Sequence, residues 1–260
     1  MKQETTASLY DVPVKTKART WSPSGRFTDL DANKLRGGYY TSSELARWMC
    51  DWAVRSSDDL ILEPSCGDGA FLETAAKRLK RLGALGPERA SHLFGVEIIA
   101  NEADKARQRL KQELGLRSAD AVETNDFFAW WKRPGRPLFD VAVGNPPFIR
   151  YQSFPEPHRS RAMKIMEELG LSPNRLTNIW VPFVVAAAAS LRPGGRMALV
   201  LPAELLQVSY AAQLRSFLTD RFARIDMIAC NELFFEGAQQ EVILLLADEA
   251  RAVPSEDNPC

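Results

Sequence analysis

Residues Asp140–Tyr151 read DVAVGNPPFIRY, an apolar strand that stops abruptly at Asn145, Pro146, Pro147 and Phe148. The prolines carry no N–H, and each pushes the residue before it out of the α region. Asn145 and Pro146 are thereby held extended, and no helix can form at once. The Pro146 carbonyl has few local donors, and the Asn145 side-chain carbonyl is a second acceptor. Two acceptors close together can receive both hydrogens of one –NH2 group, while Phe148 offers a flat face for a base. Methyl transfer to an aromatic amine needs this help, because the nitrogen lone pair is delocalised into the ring. Accepting both N–H bonds draws the nitrogen toward tetrahedral geometry and stabilises the charge that develops on it. The aromatic face adds a cation–π contribution. No strong base is required, since the methylated ammonium is acidic. A Pro-Pro strand stop beside a core Phe is the plainer reading of the same residues.

A second stretch, LEPSCGDGAFL (Leu62–Leu72), links a strand to a helix. Gly67 and Gly69 permit a tight turn and close approach of a ligand to backbone, at a helix N-terminus where free N–H groups gather. Leu72 stands where a dinucleotide fingerprint wants its third glycine, which disfavours a pyrophosphate. A ligand with an amino-acid tail suits the turn better, and Glu63 can accept from its ammonium or through water. The next strand, FGVEI, ends with Glu97, whose carboxylate can accept from both hydroxyls of a ribose. TNDFF follows the third strand. There Asp126 can accept from an adenine amine and Phe127 can pack on the ring. Singly, these are also an ordinary turn, a glutamate capping a helix, and an Asx-turn before core aromatics. In order, they point to S-adenosylmethionine.

These residues must be positioned by strand ends. Helical spacing predicts a helix over Thr41–Val54, with Ser42 or Ser43 as cap. Strands follow at residues 59–63, 92–98, 119–124, 138–144, 196–202, 223–229 and 241–247. Helices are expected at Ala70–Leu82, Asn101–Leu114, Arg159–Leu169, Leu176–Leu191 and Ala203–Thr219. Seven strands, mostly separated by helices and without strict alternation, predict an α/β fold. Its sheet is mostly parallel, of Rossmann-like type, with helices on both faces. Residues 1–36 read as a loosely ordered N-terminal arm, 37–248 as one catalytic domain, and 249–260 as an acidic tail or the start of a linker.

Lys plus Arg and Asp plus Glu number 33 each, so the net charge neither supports nor excludes a nucleic-acid partner. Four scattered cysteines with no CxxC pair argue against zinc and against a disulfide framework, so no metal is expected and a reducing compartment fits. The longest apolar stretch, Ile179–Leu191, is too short to span a bilayer, and the N-terminus has no apolar signal core.

The chain resembles the amino-group DNA methyltransferases, specifically the N6-adenine enzymes of restriction–modification systems, over roughly residues 37–247. GGYYTSSELARWM is similar to their N-terminal motif, which implies that Thr41 closes over the methionine end; Ser42 stands where Pro is frequent. LEPSCGDGAFL is similar to their first cofactor motif and carries over Glu63, Ser65, Gly67 and Gly69. Glu97 with Ile98 matches the ribose motif, and Asp126 with Phe127 the adenine motif. GNPPF is similar to the catalytic motif, implying catalytic roles for Asn145, Pro146, Pro147 and Phe148. ELFFEGAQQEVILLLA resembles the late motif whose aromatic packs on the flipped base; Phe235 aligns best and Phe234 next. The resemblance implies S-adenosylmethionine as methyl donor, an adenine flipped from double-stranded DNA as acceptor, and a bacterial cytoplasmic location.

Motif order is similar to the gamma arrangement, in which a DNA-recognition domain follows the catalytic one. Here 25 residues follow Phe235, so such a domain is expected to be separate or missing, and weak duplex binding with little sequence preference is expected of the chain alone. IRYQSFPEPHRSRAMK places Arg150, His158, Arg159, Arg161 and Lys164 beside Tyr151 and Phe154. That mixture suits a strand backbone and an extruded base, with Tyr151 next to the target; a solvated helix start is the alternative. RNA adenine methylation, methylation of a protein glutamine amide, and a non-catalytic cofactor- or DNA-binding subunit remain open.

Overall fold

A computed structural model describes residues 41–84, 88–115, 121–230 and 241–252. Expectations for the arm at 1–36, for Phe234 and Phe235, and for most of the tail lie outside them. Seven strands form one sheet: β1 (Ile61–Glu63), β2 (Leu93–Glu97), β3 (Val122–Thr124), β4 (Phe139–Gly144), β5 (Leu191–Pro202), β6 (Phe222–Cys230) and β7 (Val242–Ala250). Their spatial order is β3-β2-β1-β4-β5-β7-β6. The first five are mutually parallel, and β7 runs antiparallel between β5 and β6.

The helices are α1 (Ser43–Ala53), α2 (Ala70–Arg81), α3 (Glu88–Ser91), α4 (Ala100–Leu114), α5 (Phe127–Trp131), α6 (His158–Glu168), α7 (Trp180–Ala189) and α8 (Ala212–Arg221). Two buried apolar clusters lie on the two sides of the sheet. One gathers α1, α2 and α4; the other gathers α5 to α8. β1 is buried at all three positions, as a central parallel strand covered on both faces must be. Every residue of α7 is buried, which explains its lack of a polar face. Among the described residues no helix is long and apolar enough to cross a membrane.

Two expected helices are shorter than their apolar spacing suggests. The run at Ala203–Thr219 is broken: 3₁₀ turns cover Ala203–Leu206 and Ser209–Ala211, and α8 begins only at Ala212. Val208 is extended between the two turns, and Arg215 Nη1 donates to the Leu205 and Val208 carbonyls at 2.9 and 3.2 Å, satisfying acceptors that the break frees. The run at Leu176–Leu191 starts as helix at Trp180. Asn174 Oδ1 accepts from Leu176 N–H and Thr177 Oγ1 from Asn174 N–H, local side-chain bonds that compete with helix.

The strand order reverses between β1 and β4. Those neighbours pair in parallel, Ile61 with Val141 and Leu62 with Ala142. Their carboxyl ends therefore emerge side by side at the switch point, where open α/β sheets bind ligands. The glycine turn leaves one of these ends, and the Asn-Pro-Pro-Phe turn leaves the other.

Candidate active site

A cleft of about 320 Å³ opens at the switch point. Its wall includes Glu63 at the end of β1 with Ser65 and Gly67 after it, Glu97 at the end of β2 with Ile98 after it, Asp126 and Phe127 after β3, Asn145 and Pro147 after β4, and Thr41 before α1. Residues spread over more than a hundred positions of chain thus share one cavity.

Glu63 is buried, and its Oε2 accepts from Leu72 N–H at 3.1 Å. Burial pushes its carboxyl well above the usual carboxylate range, against the smaller opposing effect of that bond. Gly67 has φ +52°, and open space lies where a Cβ would stand; its N–H donates to Glu97 Oε2 at 2.9 Å. Glu97 Oε1 accepts from Ile99 N–H at 2.8 Å. The carboxylate therefore ties the glycine turn to the end of β2, and each oxygen retains a second lone pair for a ligand hydroxyl. Burial raises the Glu97 carboxyl too, with these backbone bonds opposing. Beside it Ile98 is 46% exposed, an apolar side chain at the cleft mouth.

Gly69 has a different role from Gly67. Its φ is +83°, and a Cβ there would lie 2.9 Å from the Ala106 Cβ. Gly69 is thus needed for the approach of α2 to α4, and it is not on the cleft wall. Gly95 in β2 was not singled out by sequence; a Cβ there would meet Leu72 Cδ1 at 2.5 Å and Cys66 Sγ at 3.0 Å.

Asp126 caps α5, its Oδ1 accepting from Phe128 N–H at 3.1 Å. Phe127 is buried and stacks on Phe183, with centroids 5.4 Å apart; both line the cleft. Asn145 Nδ2 donates to Thr41 Oγ1 across a long 3.4 Å, so the start of α1 touches the turn after β4. Pro146 and Phe148 lie beside the cleft and not on its wall. Pro146 borders a small adjoining cavity with Phe183 and Leu199, and Phe148 packs half-buried against both apolar clusters. Tyr151 lies under the Arg159 guanidinium at 4.9 Å, also off the wall. The segment from Ser153 to His158 forms a wall that sequence reasoning assigned to DNA alone.

The cleft fits a nucleoside joined to a cationic amino-acid tail. Its volume falls in the small-ligand range. An acidic floor at Glu63 and Glu97 suits positive charge, and apolar Ile98, Phe127 and Phe183 suit a flat base.

Comparison with known proteins places the chain in a family. A family model described as N-6 DNA Methylase matches residues 26–257. The type II methyltransferase M.BstVI of Geobacillus stearothermophilus is 26% identical over 217 residues, covering 73% of this chain and 37% of its own length. M.PaeR7I of Pseudomonas aeruginosa is 26% identical over 226 residues, covering 75% and 37%. The chain spans less than half the length of these curated relatives. Among solved structures, the M protein of the type I restriction enzyme EcoKI superposes with a TM-score of 0.64 at 15% identity, covering 86% of this chain and 45% of that one. A type I methyltransferase subunit from Streptococcus thermophilus gives 0.64 at 17%, covering 86% and 48%. With the family model spanning most of its length, the chain belongs to the N-6 DNA methylase family.

Proposed function

We propose that this chain carries the catalytic domain of a site-specific DNA methyltransferase that modifies the N6 amine of adenine and protects DNA from a cognate restriction enzyme. The observation that carries the reading is the meeting of Asn145 and Pro147 with Glu97 and Asp126 around one cleft. A methyl-acceptor turn and a nucleoside site open into the same space.

S-adenosylmethionine, when bound, supplies an electrophilic methyl on a sulfonium. Glu97 would hold the ribose hydroxyls, Asp126 the adenine amine, Ile98 and Phe127 the ring faces, and Glu63 with Thr41 the amino-acid end. Gly67 leaves room for the tail against the backbone. Asn145 Oδ1 and the Pro146 carbonyl accept from the target amine, hold its lone pair toward the methyl and stabilise the charge that develops there. The target adenine leaves the duplex stack to reach these acceptors, with Phe148, Tyr151 and Phe235 as its aromatic neighbours. A further DNA-recognition domain, in the same or another chain, supplies base-edge readout.

The test is methyl transfer from labelled S-adenosylmethionine to duplex DNA, RNA and protein, followed by nucleoside analysis. Label recovered as N6-methyladenine from DNA is expected. Label confined to RNA or to a glutamine side chain would replace this reading.

A further inference from the structure

Asp126 does not stand alone at the base-binding end of the cleft. Its side chain is 6% exposed, and Arg161 Nη1 donates to its Oδ2 at 2.9 Å. His158 Nδ1 lies 3.0 Å from the same oxygen, outside hydrogen-bond alignment. Both belong to the first turn of α6, which follows the Asn-Pro-Pro-Phe turn within the chain. The approach to α6 is a cleft wall: Ser153, Phe154 and Pro155 line it together with His158. Phe154 is buried edge-on against Phe128, centroids 6.3 Å apart, which fixes that wall to α5.

An exposed ion pair contributes little by itself. This one differs, since its acidic partner is buried and lines the cleft. A carboxylate offers about four acceptor positions. Phe128 N–H and Arg161 take two, and His158 stands near a third, so the anion retains capacity for one further donor. Which position remains is set by where Arg161 holds the group.

We propose that Arg161 is a positioning residue for the base-binding carboxylate: it holds Asp126 in the orientation that accepts the adenine 6-amino group and clasps the 153–158 wall to that end of the cleft. This deepens the preceding reading and rests on it, because the amine is that of the S-adenosyl cofactor. Segment 150–164 then serves the cofactor as well as DNA.

Calorimetry with S-adenosylhomocysteine, and with its analogue bearing hydrogen in place of the purine 6-amino group, tests this. In the wild type, Asp126 should make the amino compound the tighter ligand. Arg161→Ala should weaken S-adenosylhomocysteine by about tenfold while shifting the des-amino analogue by less than about twofold, as expected when a charged acceptor loses its aim. Arg161→Lys should restore part of the difference, and Arg161→Ala should add nothing further once Asp126→Asn is present. Equal weakening of both ligands would reduce Arg161 to general support of the fold and overturn the proposal. So would an unchanged Arg161→Ala variant, or a wild type indifferent to the amino group. A wild type that binds neither ligand would overturn the cofactor reading itself, and this inference with it.

Discussion

Asn145 separates two tasks that share one cleft. Its amide nitrogen contacts Thr41 Oγ1 at 3.4 Å, and in the proposed mechanism its oxygen is one of the two acceptors for the target amine. Asn145→Ala should leave cofactor affinity nearly unchanged and lower the methyl-transfer rate by roughly 10²–10³-fold, as removal of one preorganised polar group does in other enzymes. Single-turnover rates beside equilibrium titration would show it; a variant with normal rate would remove Asn145 from the chemistry. Glu97 has the opposite profile. In the proposed site its loss would remove a charged acceptor for the ribose, worth roughly 1.5–3 kcal/mol, and would also release the amides of Gly67 and Ile99. Glu97→Ala should therefore weaken S-adenosylmethionine binding by at least about tenfold, since 1.4 kcal/mol is a factor of ten. Unchanged affinity by calorimetry would exclude it from the site.

Among the elements, α2 depends on a glycine for packing and not for ligand contact. Gly69 sits at φ +83° with Ala106 where its Cβ would be. Gly69→Ala adds a left-handed alanine to a steric overlap, and we expect destabilisation of roughly 2–4 kcal/mol. Ala106→Gly in the same chain should relieve the overlap and leave the backbone cost, recovering part of the melting temperature. A single Gly69→Ala variant as stable as the wild type would refute this account of α2 and α4. The same position shows what the sequence could convey. Gly67 and Gly69, six and eight residues past the start of β1, announce a tight turn, yet nothing local tells that one faces the cleft and the other a helix 37 residues later. Motifs at strand ends, such as Glu97 closing β2 and Asn145 after β4, were legible because strand, turn and polar residue are contiguous. Gly95, Phe183 and the 153–158 wall were not, because each matters through a neighbour far along the chain. The broken helix before α8 failed for a related reason: its apolar spacing is helical, but Arg215 satisfies carbonyls left by an extended Val208.

For the molecule as a whole, the cleft carries acid groups that folding pushes toward their neutral form. Burial raises Glu63 well above its ordinary value. A group raised on folding contributes its full stability below its unfolded pKa and loses it as pH rises through the folded one. The unliganded protein should thus lose stability as pH climbs from the ordinary carboxylate range toward the raised Glu63 value, and Glu63→Gln should flatten that slope. A positively charged ligand favours the ionised carboxylate, so S-adenosylmethionine should bind more tightly as pH rises over the same window, with proton release on binding. Melting temperatures across pH, and calorimetry in buffers of different ionisation enthalpy, would detect both effects. A Glu63→Gln profile parallel to the wild type would show that the dependence arises elsewhere.

The carboxylate of Glu97 also has a consequence for time. By holding the amides of Gly67 and Ile99, it joins the two loops that follow β1 and β2 by bonds within the chain. Those two amide hydrogens should exchange slowly with solvent deuterium in the empty protein, and addition of cofactor should slow them little further. Less of the binding free energy is then spent on ordering the loops, and association can proceed without a slow closing step at this end of the cleft.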